Sequence, residues 1–257
     1  MTMTAAGWRL QDAPLRRRIV TVQAIGVVLV AVLSLAARSR LALGASYPLK
    51  AIAVFAVVAA TAVAGVRGRH PFPHFGPANQ TTTLRAALVA LVAGLLGEPV
   101  GPLVAASAAA VAALIAALDG LDGWLARRSG MASEFGARFD MEVDALLGAA
   151  LAALAWQHEK AGPWILLAGL LRYLFVIAGR LLPWLRQPLP PSRRRQAICV
   201  VQIVGLALVM APAVMPPVSS LMAAIVLSAL CYSFAVDVAW LSRAPARLTS
   251  DPKLEYR

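Results

Sequence analysis

The sequence predicts an all-α integral membrane protein, and three observations lead to this fold class. The chain of 257 residues is 60% hydrophobic and only 14% charged, whereas about a quarter of the residues in a soluble domain are charged. Its mean hydropathy is +0.73. The apolar residues form long runs rich in alanine, valine and leucine instead of alternating with polar ones, which favours helices over the strands of a barrel.

Eight apolar segments are long enough to cross a bilayer as helices, for which about 17–25 residues are needed. They lie near residues 19–37, 48–66, 81–97, 100–118, 135–156, 162–182, 197–215 and 217–241. The third segment is marginal because Arg85 lies near its start. A proline-rich stretch from His70 to Pro77 separates the first two segments from the rest. We therefore expect a six-helix transmembrane core with two additional N-terminal transmembrane helices.

This division predicts three regions along the chain. Residues 1–78 form an N-terminal two-helix membrane extension and linker, residues 79–241 form the transmembrane core, and residues 242–257 form a cytoplasmic tail. The prolines of the linker exclude a helix there, so His70 and His74 are expected in an interfacial loop and not in a metal site.

The first 37 residues have a second interpretation. Arginines precede the first apolar run and small residues follow it, which also fits a cleaved signal peptide. The length of the run, and the arginines that come after it, favour a membrane helix.

The net charge of +12 is explained by membrane topology. The basic residues lie between apolar segments, where they orient the chain and meet anionic lipid headgroups, so no nucleic-acid partner is expected. With the N-terminus in the cytoplasm, 19 of the 24 lysines and arginines fall on the cytoplasmic side, four fall on the opposite side, and Arg172 lies within a span. This bias predicts a bacterial inner (plasma) membrane protein with both termini inside.

Acidic residues are rare except in one short region. Six of the twelve lie between positions 119 and 144: Asp119, Asp122, Glu134, Asp140, Glu142 and Asp144. The first aspartate pair ends the fourth span and the second pair begins the fifth, so an antiparallel hairpin brings the pairs together. Within each pair the spacing of three or four residues places both side chains on one helix face. Four converging carboxylates repel one another unless cations lie between them, and their oxygens suit magnesium, manganese or calcium.

Small residues and one arginine accompany the aspartates. Gly123, Ala126 and Gly136 allow a helix or a ligand to approach closely, and Arg127 offers a planar fork that suits phosphate. Together these residues favour a nucleotide diphosphate held through metal. A solvated turn with capping acids would explain any one aspartate, but not all four with the glycines and the arginine. The distribution of lysine and arginine places this region at the cytoplasmic face.

At these residues the chain resembles the CDP-alcohol phosphatidyltransferase family, whose pattern is D-x2-D-G-x2-A-R-x8-G-x3-D-x3-D. Every fixed position is present: Asp119, Asp122, Gly123, Ala126, Arg127, Gly136, Asp140 and Asp144. The stretch from Asn79 through Thr82 to Arg85 is similar to the N-x-x-T-x-x-R stretch that opens the first core helix of the family. The resemblance covers roughly residues 79–241.

The resemblance implies a reaction and its cofactors. A CDP-linked lipid, most often CDP-diacylglycerol, would bind at the cytoplasmic face, an alcohol hydroxyl would attack the phosphorus attached to the lipid, and CMP would leave. Two divalent ions, magnesium or manganese, would be held by the four motif aspartates Asp119, Asp122, Asp140 and Asp144. Asp144 would also be the general base. The CDP-binding positions would be Gly123, Ala126, Arg127, Gly136, Asn79, Thr82 and Arg85. A homodimer is also implied.

The second substrate is less marked in the sequence. Arg172 and Arg180 are similar to the paired arginines of glycerophosphate-type members, although Tyr173 stands where a glutamate is common. With Arg194 and Arg195 they are the candidate acceptor ligands, which favours a phosphorylated polyol such as glycerol phosphate or inositol phosphate. Arg172 could instead pair with a backbone carbonyl or snorkel, and the arginines at 193–195 could be topological anchors.

Three further residues carry simpler expectations. Asp237, at the end of the last span, is expected to be an interfacial cap or an ion-pair partner. Cys199 and Cys231 lie in apolar runs and are expected to be packing residues.

Two other functions fit part of the pattern. An aspartate-rich intramembrane prenyltransferase also uses magnesium and pyrophosphate, but it gives no reason for the glycine and arginine spacing. An ion-coupled carrier would use the acids as a cation site, but it predicts acids at mid-membrane, whereas these acids lie at one edge beside arginines.

Overall fold

The computed structural model describes residues 13–66, 70–129, 131 and 133–243, with side chains described except at 13, 14, 122–127 and 129. All regular structure in these residues is helical. The described part of the chain forms eight α-helices: α1 (Ala13–Leu41), α2 (Tyr47–Gly65), α3 (Pro77–Gly94), α4 (Pro102–Ser129), α5 (Glu134–Gln157), α6 (Leu166–Leu181), α7 (Arg193–Met210) and α8 (Val218–Arg243). Two short 3-10 turns, Pro163–Ile165 and Pro183–Arg186, precede and follow α6.

Each predicted apolar segment corresponds to one helix, which confirms the all-α fold class. Within the described residues, α1, α2, α4, α6 and α8 are long and apolar enough to cross a membrane on their own. The chain is therefore an integral membrane protein. The other three helices, α3, α5 and α7, carry charged residues that the candidate site contains.

Helix α4 continues beyond the end that the sequence predicts. The apolar run ends near residue 118, but α4 extends to Ser129. Leucine, alanine and arginine, which favour helix, recur through this last part of α4. The first aspartate pair is consequently carried by the last turns of a helix, as the spacing of the pair predicts.

Helix α3 is the centre of the bundle. It contacts α1, α2, α4 and α5, and nearly all of its residues from Thr82 onward are buried. Gly94 allows α2 to approach closely, since an added Cβ would lie 3.1 Å from the Tyr47 ring and 3.2 Å from the Ala51 Cβ. The Tyr47 hydroxyl donates to the Leu91 carbonyl at 3.1 Å. The N-terminal extension is thus packed directly against the helix that opens the predicted core.

A polar network joins the loops at the end of the bundle opposite the aspartates. Glu98 accepts from the Gly44 amide at 2.6 Å and forms an ion pair with Lys50 at 2.5 Å. Burial alone would raise the pKa of Glu98, but the hydrogen bonds from Lys50 and Gly44 and the charge of Lys50 outweigh burial and hold it below its ordinary value. The Gln157 side chain adds bonds to the Gly97 amide and the Glu98 carbonyl. The network fixes the α1–α2 and α3–α4 loops to the end of α5.

The linker before α3 is an ordered loop that rests on the start of α5. His70 Nε2 lies 2.7 Å from the His74 carbonyl oxygen and His70 Nδ1 lies 3.1 Å from Ser133 Oγ. Since a carbonyl can only accept, Nε2 carries the proton in the neutral ring, and Ser133 donates to Nδ1. Ser133 caps α5 by accepting from the Gly136 amide at 3.1 Å. The ring of His70 also packs edge-on against Phe135. The histidines lie in a loop, as the prolines predict.

Candidate active site

Three of the four motif aspartates, from the end of α4 and the start of α5, meet beside α3. One carboxylate oxygen from each of Asp119, Asp140 and Asp144 lies within 4.8 Å of the others. The Asp144 side chain is the most enclosed of the three, at 14% exposure compared with 34% and 37% for Asp119 and Asp140. Asp122 lies one turn beyond Asp119 on α4, and its side chain is outside the described part of the structure.

A fully buried arginine from α3 completes this carboxylate cluster. The Arg85 side chain is 0% exposed, and one of its terminal nitrogens lies 2.8 Å from Asp119 Oδ1. The guanidinium also forms ion pairs with Oδ1 of Asp140 and with Oδ1 of Asp144. The sequence placed Arg85 among the CDP-binding positions but did not reveal its contact with the aspartates. The sequence did contain a signal for this contact, because an arginine within an apolar segment needs buried counter-charges.

The residues present fit a divalent cation. Three carboxylates from two helices offer hard oxygen ligands, the kind that magnesium and manganese prefer. Three carboxylates and one guanidinium leave two negative charges, which is the charge that one divalent ion neutralises.

Asn79 and Gly136 lie together where α3 passes α5. A Cβ added to Gly136 would lie 2.8 Å from Asn79 Oδ1 and 3.3 Å from Ser133 Oγ. Glycine is therefore needed here so that the two helices can approach. Asn79 Nδ2 donates to the Phe75 carbonyl at 2.5 Å, and Thr82 Oγ1 donates to the Ala78 carbonyl at 3.0 Å.

The remaining CDP-binding positions of the motif lie on the last turns of α4. These are Gly123, Ala126 and Arg127, and their side chains are outside the described part of the structure. Their contact with CDP, like that of Asn79, Thr82, Arg85 and Gly136, stays a prediction.

A cavity of about 420 Å³ lies beside the carboxylate cluster, between α5, α6, α7 and α8. Asp144 forms part of its wall, as do Arg172 from α6 and Arg195 from α7. Much of the remaining wall is apolar and includes Phe175 and Phe234. Asp144 is thus shared by the carboxylate cluster and the cavity.

Of the four candidate acceptor ligands, two line this cavity. Arg172 forms an ion pair with Glu142 and donates to Met141 Sδ at 2.7 Å. Its Nε is buried without a hydrogen-bond partner among the described residues. The observed partners of Arg172 are therefore side chains and not the backbone carbonyl that the sequence left open. Arg195, the second cavity residue, pairs with Asp237 at 3.1 Å.

The other two arginines lie differently. Arg194 pairs with Asp237 at 2.5 Å and donates to the Ser233 carbonyl, also at 2.5 Å. Arg180 is exposed on α6 and is not among the residues that line the cavity in the described structure. Asp237 is buried and paired with two arginines, which confirms the expectation of an ion-pair role.

Cys199, which the sequence predicts to be a packing residue, also lines the cavity. Its thiol donates to Asp144 Oδ2 at 3.8 Å. Cys231 is exposed on the surface of α8. Nothing in its local sequence distinguishes Cys199 from Cys231, because the difference arises from which helices pack beside each one.

The fold and the site together define a membrane-embedded helical protein in which a cluster of carboxylates lies next to a cavity lined in part by arginines. Residues 75–235 match the family CDP-alcohol phosphatidyltransferase, and because this is more than half of the chain, the protein belongs to that family. No individual curated protein and no solved structure matches the chain. As a member of the family, the protein is an enzyme that transfers a phosphatidyl group from a CDP-alcohol to an alcohol. Membership decides against the prenyltransferase and carrier alternatives.

Proposed function

We propose that the enzyme transfers the phosphatidyl group of CDP-diacylglycerol to a phosphorylated polyol, in a metal-dependent step of phospholipid biosynthesis that releases CMP. One observation carries this proposal. Asp144 belongs to the carboxylate cluster and also to the wall of a cavity that contains two arginines. The donor and acceptor halves of the reaction can therefore meet at one side chain.

The carboxylate cluster supports binding of the donor. Asp119, Asp140 and Asp144, with Asp122 one turn further along α4, would hold two ions of magnesium or manganese. When bound, the metal would neutralise the pyrophosphate and the departing CMP. Arg127 would hold a donor phosphate, and Gly123, Ala126 and Gly136 would leave room for the nucleotide.

Asp144 has the position that a general base needs. Its Oδ1 is paired with Arg85, while its Oδ2 lies next to Cys199 in the cavity wall. An acceptor hydroxyl in the cavity would give its proton to Asp144 as its oxygen bonds to the phosphatidyl phosphorus and the bond from that phosphorus to CMP breaks. A carboxylate beside cations is a weak base at neutral pH, so its contribution comes mainly from position. Asp144→Asn should abolish turnover, and full activity in this variant would exclude Asp144 as the base.

The arginines of the cavity support a phosphorylated acceptor. Arg172 and Arg195 present guanidinium groups from two different helices, and guanidinium binds phosphate through paired hydrogen bonds. Both arginines already bind carboxylates, Glu142 and Asp237, which an acceptor phosphate would join or replace. Arg194 and Arg195 share the single carboxylate of Asp237, so one positive charge remains for an anionic acceptor, and choline, which is itself a cation, offers no group to match it.

We also infer the setting of the enzyme. The lysine and arginine bias supports a site that faces the cytoplasm of a bacterial inner membrane, where a water-soluble acceptor can reach the lipid. The start of the family match at residue 75 supports a boundary near residue 78 between the extension and the core. A homodimer remains a prediction from the family resemblance.

An acceptor panel tests the proposed function. Purified protein would be incubated with CDP-diacylglycerol, manganese and, in turn, glycerol phosphate, inositol phosphate, inositol, serine or a second lipid, and CMP release and lipid products would be measured. We expect product only with a phosphorylated polyol. Product with serine or inositol alone would contradict the acceptor class, and no product with any acceptor would contradict CDP-diacylglycerol as donor.

Two matched variants locate the acceptor site. Arg172→Gln removes a guanidinium from the cavity wall, whereas Arg180→Gln removes an exposed one from the same helix. We expect Arg172→Gln to raise KM for the acceptor about tenfold or more, the effect of losing one charged hydrogen bond, and to leave KM for the donor unchanged. Equal effects of the two substitutions would show that the cavity is not the acceptor site.

A further inference from the structure

We propose that Arg85 is a positioning residue, a built-in cation that keeps Asp119, Asp140 and Asp144 assembled before metal binds and that weakens their affinity for divalent cations. The proposal rests on the proposed function in one respect, because it takes the carboxylate cluster to be the metal site. It assigns to Arg85 a role different from direct contact with CDP.

The geometry of Arg85 is the first argument. Its side chain is fully buried, and its two terminal nitrogens reach carboxylates on two helices that follow one another in the chain. Asp119 comes from the end of α4, and Asp140 and Asp144 come from the start of α5. Arg85 comes from α3, the central helix of the bundle. A single side chain therefore joins all three helices that build the cluster.

Charge is the second argument. Carboxylate oxygens within 4.8 Å of one another repel, and the repulsion is strongest at Asp144, the most enclosed of the three. A buried guanidinium would in turn be unstable without counter-charges. The carboxylates and the guanidinium therefore stabilise one another in the metal-free protein. The planar fork of arginine can contact several carboxylates at once, which the single ammonium group of lysine cannot do in the same way.

The same contacts have a consequence for metal. With Arg85 present, the three carboxylates carry a net charge of −2, and without it they carry −3. A guanidinium at contact distance also repels an arriving divalent ion. Removing that positive charge should tighten metal binding about tenfold, even if the site has the dielectric constant of water.

The test uses the full-length protein in detergent without substrates. Thermal unfolding without metal and the Kd for Mn²⁺ by calorimetry would be measured for the wild type, Arg85→Gln, Arg85→Lys and the double variant Arg85→Gln/Asp140→Asn. We expect Arg85→Gln to lower the metal-free Tm and to bind Mn²⁺ about tenfold more tightly. The double variant, in which the cluster is again at −2, should recover much of the metal-free Tm. Arg85→Lys keeps the charge but loses the fork, so its Tm should fall while its Kd stays within about threefold of the wild type.

The outcomes separate this role from others. If Arg85→Gln keeps the wild-type Tm and Kd for Mn²⁺ and raises only KM for the CDP donor, Arg85 contacts the donor and the proposal is wrong. If Arg85→Gln does not fold but the double variant does, the result supports the proposal. If the double variant also fails to fold while Arg85→Lys has the wild-type Tm, the proposal is overturned. Absence of Mn²⁺ binding by the wild type would refute the metal part of the proposed function, while the metal-free Tm values would still decide whether Arg85 assembles the cluster.

Discussion

Replacing Gly169 by alanine should push α6 away from α5 at the place where both helices line the cavity. In the structure, a Cβ added at Gly169 would lie 2.5 Å from the Cα of Ala149 and 3.0 Å from its Cβ. Carbon atoms normally approach no closer than about 3.5 Å. Because the obstacle is backbone and cannot rotate away, the two helices must separate by about 1 Å.

The cost can be estimated from this displacement. Overpacking of this kind destabilises a protein by about 1–3 kcal/mol, and the better helix propensity of alanine offsets up to about 1 kcal/mol of that cost. The effect on activity should be larger. Asp144 lies on α5 and Arg172 on α6, so the shift widens the space between the proposed base and the acceptor phosphate. A misplacement of about 1 Å can lower a rate about 100-fold.

The assay combines thermal unfolding in detergent with CMP release at saturating and limiting acceptor. Gly101→Ala is the matched control, since no described atom lies within 4 Å of the Cβ that it adds, and it should leave both Tm and kcat/KM near wild type. Gly169→Ala with wild-type Tm and wild-type kcat/KM would refute the reasoning, because it would show that the close α5–α6 contact constrains neither stability nor the cavity.

Three more predictions concern metal, the cavity and pH. Chelation of divalent ions should abolish CMP release and added manganese should restore it, whereas activity that persists in chelator would contradict metal dependence. Alkylation of Cys199 should fill the cavity and inactivate the enzyme, and bound acceptor should protect against this. The Cys199→Ala variant should resist the reagent. If this variant is inactivated at the wild-type rate, the sensitive thiol lies elsewhere. Because folding lowers the pKa of Glu98, the stability it provides is present above its unfolded pKa and is lost as the pH falls through its folded pKa. The Tm of the wild type should therefore fall on acidification by more than that of Glu98→Gln, and parallel falls in the two proteins would contradict this.

Much of the fold follows from local properties of the sequence. Long apolar runs form helices wherever they occur, so hydropathy predicts the number and order of the helices. The end of α4 is different. Residues 119–129 are helical although the apolar run has ended, and hydropathy detects the edge of the apolar run without detecting the end of the helix.

Some features of the site also follow from local sequence, whereas others depend on how the helices pack. The spacing of Asp119, Asp140 and Asp144 is a local pattern, and the short connection between α4 and α5 keeps the end of one helix near the start of the next. The partners of Arg85 lie 34 or more residues away in the chain, so its pairing depends on how α3 packs between α4 and α5. The separation of Arg172, which lines the cavity, from Arg180, which is exposed, also depends on packing. No local pattern distinguishes these two arginines.

Apolar and charged helices alternate through the core, and this order has a consequence for biogenesis. Helices α4, α6 and α8 are long and apolar enough to cross a membrane although each carries a charged residue of the site, whereas α3, α5 and α7 do not reach that apolarity. Charged residues at a helix centre oppose insertion by about 2.5–3.5 kcal/mol each, and residues near a helix end, as here, oppose it by less. Each charged helix has an apolar helix directly after it in the chain, so the two can insert as a hairpin while the ribosome is still adding the next pair. Helices α3, α5 and α7 thus depend on their apolar neighbours for insertion, and a helix that loses its neighbour during synthesis should fail to insert.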